Sequence, residues 1–190
     1  MSVKKRLYTA NDLRNASPKK SREIFAKELY KSVTCGVSNG YLQANVVIIN
    51  SESANDFKRF CELNDRPAPL LEILSKGNPY TSVIANNADI RDVLPKYRYY
   101  FKDKNGSIKY KELFNIKDIW NDNLVTFFLG CSYTFEDALI RNGINLRHIE
   151  LNKNVAMYDT NIKTNNYNGF GNNMVVSMRP IKKNMINKVY

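Results

Sequence analysis

Histidine is nearly absent from this chain: His148 stands alone among 190 residues. A metal centre built on several imidazoles is therefore excluded. Cysteine is scarce as well. Cys35, Cys61 and Cys131 are odd in number and form no C-x-x-C pair. Neither a disulfide framework nor a zinc knuckle is indicated, and free thiols point to a reducing cytoplasm. No apolar run approaches the roughly 20 residues that a membrane-spanning helix needs. The basic start MSVKKRLYTANDLR is followed by no apolar stretch, so it does not read as a secretory signal.

Acidic groups are also in deficit, 18 against 29 basic ones, for a net charge of +11. Such an excess raises nucleic acid or a membrane surface as partners. Its position weakens both. Residues 1–31 are net +6, residues 96–111 net +5 and residues 179–190 net +4, whereas 32–95 and 112–178 are each net −2. The charge sits on the two ends and one middle segment, away from the apolar, motif-bearing stretches. The expectation is no nucleic acid and no membrane. At 43% hydrophobic and 25% charged residues the composition is that of a folded domain with a real core.

Residues 1–31 read as helical. Asn11 or Asp12 offers an N-cap, and Ser17-Pro18 marks a second start with proline at the first helical position. Residues 43–50, with VVII at their heart, read as a buried strand. Ser51 then caps a helix over about 52–63 that buries Phe57, Phe60 and Cys61. LLEIL (70–74) is a short strand. Residues 96–110 form a hairpin about the two-residue turn Asn105-Gly106. Leu124, Phe127, Phe128 and Cys131 fall at helical spacing, and a further helix runs from Tyr133 to Arg141 before Asn142-Gly143. INLRHIEL (144–151) alternates like a strand, 161–173 is a polar loop, and MVVSMRP (174–180) is a last strand. Interleaved strands and helices give an α/β or α+β class with a mixed sheet.

Several segments carry chemistry and each has a plainer reading. FKDKNGSIKYKELF (101–114) imitates a calcium loop, but Phe101 and Lys109 occupy ligand positions, so a basic hairpin is preferred. Its aromatic strand could stack bases, though the face formed by Tyr97, Tyr99 and Phe101 serves equally as core, which is favoured. Gly169-Phe170-Gly171 reads as a turn. GCSYTFE (130–136) brings a thiol and two hydroxyls to a helix start, with Glu136 one turn in. Simple capping is favoured there: Ser132 caps, Glu136 complements the helix dipole and Cys131 packs. Arg147 and His148, adjacent on a strand, point to opposite faces. Arg147 suits a carboxylate and His148 suits proton transfer, against a structural hydrogen bond for a lone histidine. Arg179 shares the face of Ser177 and Val175 and is a second carboxylate binder.

The ordered motifs GYLQANVVI (40–48), PLLEI (69–73), ADIRDVLPKYRYY (88–100), GCSYTFEDAL (130–139), LRHIE (146–150), NVAMYDTNI (154–162) and MVVSMRP (174–180) closely resemble the YcsI-like, or D-glutamate cyclase, family of hydro-lyases. The resemblance spans about residues 32–180. It implies an α/β class with a mixed-sheet α/β sandwich and a smaller α/β lobe; the chain is expected to divide into an N-terminal helical segment (1–31), outside the resemblance, and the family core (32–190), which includes the basic hairpin at 96–111. It implies a carbon–oxygen lyase that cyclises D-glutamate to 5-oxo-D-proline with loss of water, with no cofactor and no metal. Family members continue into a further segment with a His-Gly-x-Pro stretch, so a C-terminal part is missing relative to the family. Polar positions inside the motifs supply the candidates. Glu136, His148, Ser132 and Cys131 are the catalytic ones. Arg147, Arg179, Asn161, Thr134, Gln43, Asn45 and Glu72 are the substrate-binding ones. The expected partner is a small amino acid or carboxylate, with self-association left open. The runner-up is a truncated, non-catalytic domain that binds a small carboxylate or a protein; a basic RNA-binding protein ranks third.

Overall fold

The computed structural model describes residues 6–151 and 153–189. The elements in chain order are α1 (Ala10–Leu13), α2 (Pro18–Ala26), β1 (Ala44–Asn50), α3 (Ser51–Leu63), β2 (Leu70–Ile73), β3 (Tyr80–Thr81), β4 (Ala88–Asp89), β5 (Tyr97–Lys102), β6 (Ile108–Leu113), β7 (Leu124–Gly130), α4 (Glu136–Arg141), α5 (Arg147–Glu150), β8 (Ala156–Lys163) and β9 (Asn173–Met178). The chain is of the α/β class, and every strand pairing described is antiparallel. It divides into two compact units, one of residues 1–38 with 79–121, the other of residues 39–78 with 122–190.

In the first unit, Thr9 caps α1 rather than Asn11 or Asp12. Thr9 Oγ1 accepts from the Asp12 amide and Asp12 returns the bond to the Thr9 amide, a reciprocal capping box. Ser17 and Pro18 start α2 as their types dictate. Leu13, Ile24, Phe25, Tyr30 and Val37 close a small core. The β5–β6 hairpin is anchored by buried Tyr97, whose hydroxyl donates to the Ile90 carbonyl at 2.6 Å.

Two expectations fail on that hairpin. Its turn is not a two-residue one: the Asp103 amide donates to the Ser107 carbonyl, the Gly106 amide donates to the Asp103 carbonyl, and only Gly106 adopts positive φ. This is a type I turn followed by a left-handed glycine. Asp103 also accepts from the Asn105 and Ser107 amides, so it serves as a turn residue. Nor is the aromatic face core, because Tyr99 and Phe101 are exposed and stack on one another with ring centroids 6.0 Å apart.

The second unit is built on the three-stranded sheet β1-β7-β2. β7 is central, and Val125, Thr126, Phe127 and Phe128 are all buried. That corrects the helix expected from the spacing of Leu124, Phe127, Phe128 and Cys131. A strand covered on both faces carries a continuous apolar run, and such a run fits a helical period by accident. α3 begins after Asn50, and Ser51 donates to Asn123 instead of capping. α3 lays Ala54, Phe57 and Cys61 against the sheet, with Phe57 edge-on to Phe127 at 4.9 Å.

The β8–β9 hairpin is tied to α3 through its connecting loop. Asn64 Nδ2 donates to the Asn165 carbonyl at 2.9 Å, and the Asn165 amide donates back to Asn64 Oδ1 at 2.8 Å. Phe170, from the Gly-Phe-Gly turn, packs on Phe57 at 5.3 Å and on Phe60 at 6.2 Å. Gly171 (φ 140°) allows the turn to close: a Cβ there would sit 2.0 Å from Asn166 Oδ1.

Candidate active site

The candidate site grows from the end of β7. Gly130 is the last residue of that strand, and a Cβ on it would lie 2.7 Å from the Pro69 ring. Only glycine lets β2 pass so closely. The chain then turns through Cys131 and a 3₁₀ segment, Ser132–Phe135, into α4, which opens on Glu136. The turn is held from β1. Thr134 Oγ1 accepts from the Gln43 amide at 3.0 Å and donates to the Gln43 carbonyl at 3.2 Å. Asn45 Nδ2 donates to the Gly130 carbonyl at 3.4 Å.

Ser132 caps nothing, contrary to the favoured reading of this segment. Its hydroxyl lies 3.3 Å from that of Ser177 and accepts from Arg179 Nη2 at 3.1 Å. Arg179 follows β9 and reaches across to Glu136. Its Nε and Nη2 both donate to Glu136 Oε1, at 2.8 and 2.5 Å, while Nη1 donates to Ser177 Oγ at 2.9 Å. The guanidinium also lies 4.8 Å over the Phe135 ring. Glu136 thus does more than complement a helix dipole; it closes a buried ion pair.

His148 completes the cluster, but from a helix. Residues 147–150 form α5, not the expected strand. A helix turns about 100° per residue, so it sends neighbouring side chains apart. His148 goes inward and Arg147 goes out, where it pairs with Glu150 at 3.3 Å and stays 64% exposed. The side chains of His148, Glu136 and Arg179 are only 7%, 4% and 7% exposed. His148 Nε2 lies 3.0 Å from Glu136 Oε1, yet it is not aligned to share a proton with it. That nitrogen is buried and has no hydrogen-bond partner among the described residues. A buried nitrogen left so is costly unless a further group meets it.

Cys131 is half-buried beside the cluster. Burial pushes its thiol up, reinforced by Glu136 and opposed by the Tyr133 amide and Arg179. It is held as a thiol, which disfavours a nucleophilic thiolate. Glu72 sits on β2 opposite Phe128, and Asn161 is exposed on β8. Arg147 instead lines a separate groove of about 680 Å³ with Asn145, Glu150, Lys182 and Asn184, and Pro180 brings the chain from Arg179 into its wall. α5 serves both places, since it carries His148 inward and Arg147 and Glu150 into the groove.

Residues 125–190 match the family described as D-glutamate cyclase. That stretch contains Ser132, Glu136, His148, Ser177 and Arg179, the whole cluster. Among curated bacterial relatives named "Putative hydro-lyase", one from Thermoanaerobacter sp. (strain X514) is 43% identical over 172 residues, covering 90% of this chain and 63% of the relative. One from Geobacillus kaustophilus is 45% identical over 165 residues, covering 87% and 61%. YcsI of Bacillus subtilis is 42% identical over 169 residues, covering 89% and 64%. Over residues 125–190 the chain is thus similar to the D-glutamate cyclase family, and over nearly its whole length to these hydro-lyases. It spans about three fifths of the length of the curated relatives it matches. No helix among the described residues is long and apolar enough to cross a membrane.

Sequence reasoning missed Ser177, Phe135, Glu150 and Lys182 as site residues. The two-residue strand period that places Ser177 beside Arg179 was the available signal for the first. The other three meet the cluster or the groove only through the tertiary fold.

Proposed function

We propose that the chain carries the hydro-lyase chemistry of its D-glutamate cyclase relatives, acting on D-glutamate to give 5-oxo-D-proline and water. The observation that carries this reading is the unpartnered, buried His148 nitrogen beside a carboxylate that an arginine holds in place. The reaction forms one C–N bond and breaks one C–O bond. The substrate ammonium gives up two protons in all, and the departing oxygen takes up two to leave as water. A group that accepts and returns protons at one place is therefore required.

In this reading His148 Nε2 is that group. Arg179 holds the Glu136 carboxylate 3.0 Å from that nitrogen. The Ser132 hydroxyl donates to the oxygen that bears charge in the tetrahedral intermediate. The groove lined by Arg147, Lys182 and Glu150 lies on the other side of α5, apart from these groups, and takes no part in this step. Cys131 stays a protonated neighbour. Thr134, Gln43 and Asn45 hold the strand-to-helix turn. The test incubates the chain with D-glutamate and follows 5-oxo-D-proline chromatographically. His148→Gln should lower turnover about a hundredfold with an unchanged melting profile. Thermal stabilisation by D-glutamate without product, while the full-length Thermoanaerobacter relative turns over the same sample, would refute the reaction and leave a binding domain.

A further inference from the structure

The β8–β9 ribbon pairs with no third strand among the described residues. Its pleat gives two faces, and Met157 and Val175, on the one that also carries the charge of Asp159, are 58% and 60% exposed. Met157, Asp159, Val175 and Ser177 share the face that leads to Arg179. Ala156 with Met178, and Tyr158 with Val176, form two cross-strand pairs on the opposite face. That opposite face carries no charge, and Tyr158, Val176 and Met178 are 52%, 40% and 43% exposed. A two-stranded ribbon is marginal in water without cover. This one is not a loose arm either, because its loop is fixed to α3 through Asn64, Asn165 and Phe170. It presents a bare apolar face from a fixed position.

The relatives say how much polypeptide is available to cover it. At 43% identity the match takes up 90% of this chain and only 63% of the Thermoanaerobacter relative. The other 37% of the relative is polypeptide outside the match. The other exposed ribbon, β5–β6, interleaves its aromatics with Arg98, Lys102, Lys109 and Lys111 and is suited to water. The uncharged face of β8–β9 is the one suited to apolar cover. We propose that this face is the seat of the polypeptide equivalent to the part of the relatives that this chain does not span. Seated there, that polypeptide stiffens β9 and so holds Ser177 and Arg179 from behind. The inference does not rest on the reaction proposed above.

Two measurements test it, neither using activity. Amide hydrogen exchange is compared between this chain and the full-length Thermoanaerobacter relative. Amides of residues 156–159 and 175–178 should exchange about a hundredfold faster here than their counterparts in the relative, while those of β7 should match. Val176→Asp should leave the melting temperature of this chain within about 2 °C, whereas aspartate at the aligned position should lower that of the relative by more than about 5 °C. Equal exchange in the two proteins would overturn the proposal, because the extra length would then lie elsewhere. So would protection in this chain that rises with protein concentration, since a second copy would be the occupant. A large loss of stability in the Val176→Asp variant of this chain would overturn it too, because the face would already be covered.

Discussion

Replacing Arg179 by methionine removes the cation from a cluster with almost no access to water. Its guanidinium now gives two bonds to Glu136 Oε1, two to Ser132 (hydroxyl and carbonyl) and one to Ser177. Methionine fills much of the volume but leaves the Glu136 carboxylate buried and without its counter-ion. Breaking a buried pair from one side costs about 3–5 kcal/mol. The lower end is expected, because the two serine hydroxyls stay 3.3 Å apart and can satisfy each other. For a unit of roughly a hundred residues each kcal/mol moves Tm by about 4–8 °C, so the variant should melt about 12–24 °C lower. The companion variant Glu136→Leu with Arg179→Met removes both charges and should recover part of that loss, since apolar replacement of a whole buried pair is often close to neutral. Urea titration followed by far-ultraviolet circular dichroism gives the three free energies of the cycle. A cost under about 1 kcal/mol for Arg179→Met, or single effects that add within about 0.5 kcal/mol, would refute the picture of one coupled buried pair.

Stability of the first unit should fall at high pH. Burial of Tyr30 pushes its hydroxyl up to about 12, partly offset by a hydrogen bond with Ser32. A phenol raised above its unfolded value near 10 stabilises the fold in its protonated form. That contribution is complete below about pH 10 and is lost, to about 3 kcal/mol, as pH rises through 12. Urea titration from pH 9 to 12, read by the fluorescence of Trp120, should show this fall, and Tyr30→Phe should lessen it; a flat profile in the parent chain would contradict the burial argument. Gly130→Ala should cost about 1–3 kcal/mol and blunt turnover, as the new methyl drives Pro69 and β2 off the end of β7. A crystal structure of the variant with β2 unmoved would count against it. Phe170→Ala should destabilise by about 2 kcal/mol, because the ring leaves a gap between Phe57 and Phe60. Hydrogen exchange should then speed up in the 164–172 loop before it does in β7.

Local chemistry made much of this chain legible. Ser17-Pro18 starts a helix because proline presets the first turn and serine takes an orphan amide. VVII lies in a strand, and Phe57 with Cys61 marks the buried stripe of α3. The polar positions inside the GCSYTFE, LRHIE and SMRP motifs pointed to Ser132, Glu136, His148 and Arg179, and the structure brings those four together. Two segments misled. β7 lacks the alternation of a half-exposed strand because both of its faces are covered. LRHIE alternates like a strand yet makes one turn of helix, since four residues are too few for either period to be distinguished.

What the sequence determined by itself was the class of the fold, most of its element starts and the residue types available for chemistry, all set within a few neighbouring positions. Only the tertiary structure decided what those residues do to one another. Arg147 and His148 are adjacent in the chain, yet one faces a groove and the other a sealed cluster, because α5 rotates them apart. Arg179 and Glu136 lie 43 positions apart, yet they share one buried oxygen. A charge can stay buried only where its counter-charge is brought to it, and the end of β9 brings Arg179 to the start of α4, a pairing that no local pattern in the sequence records.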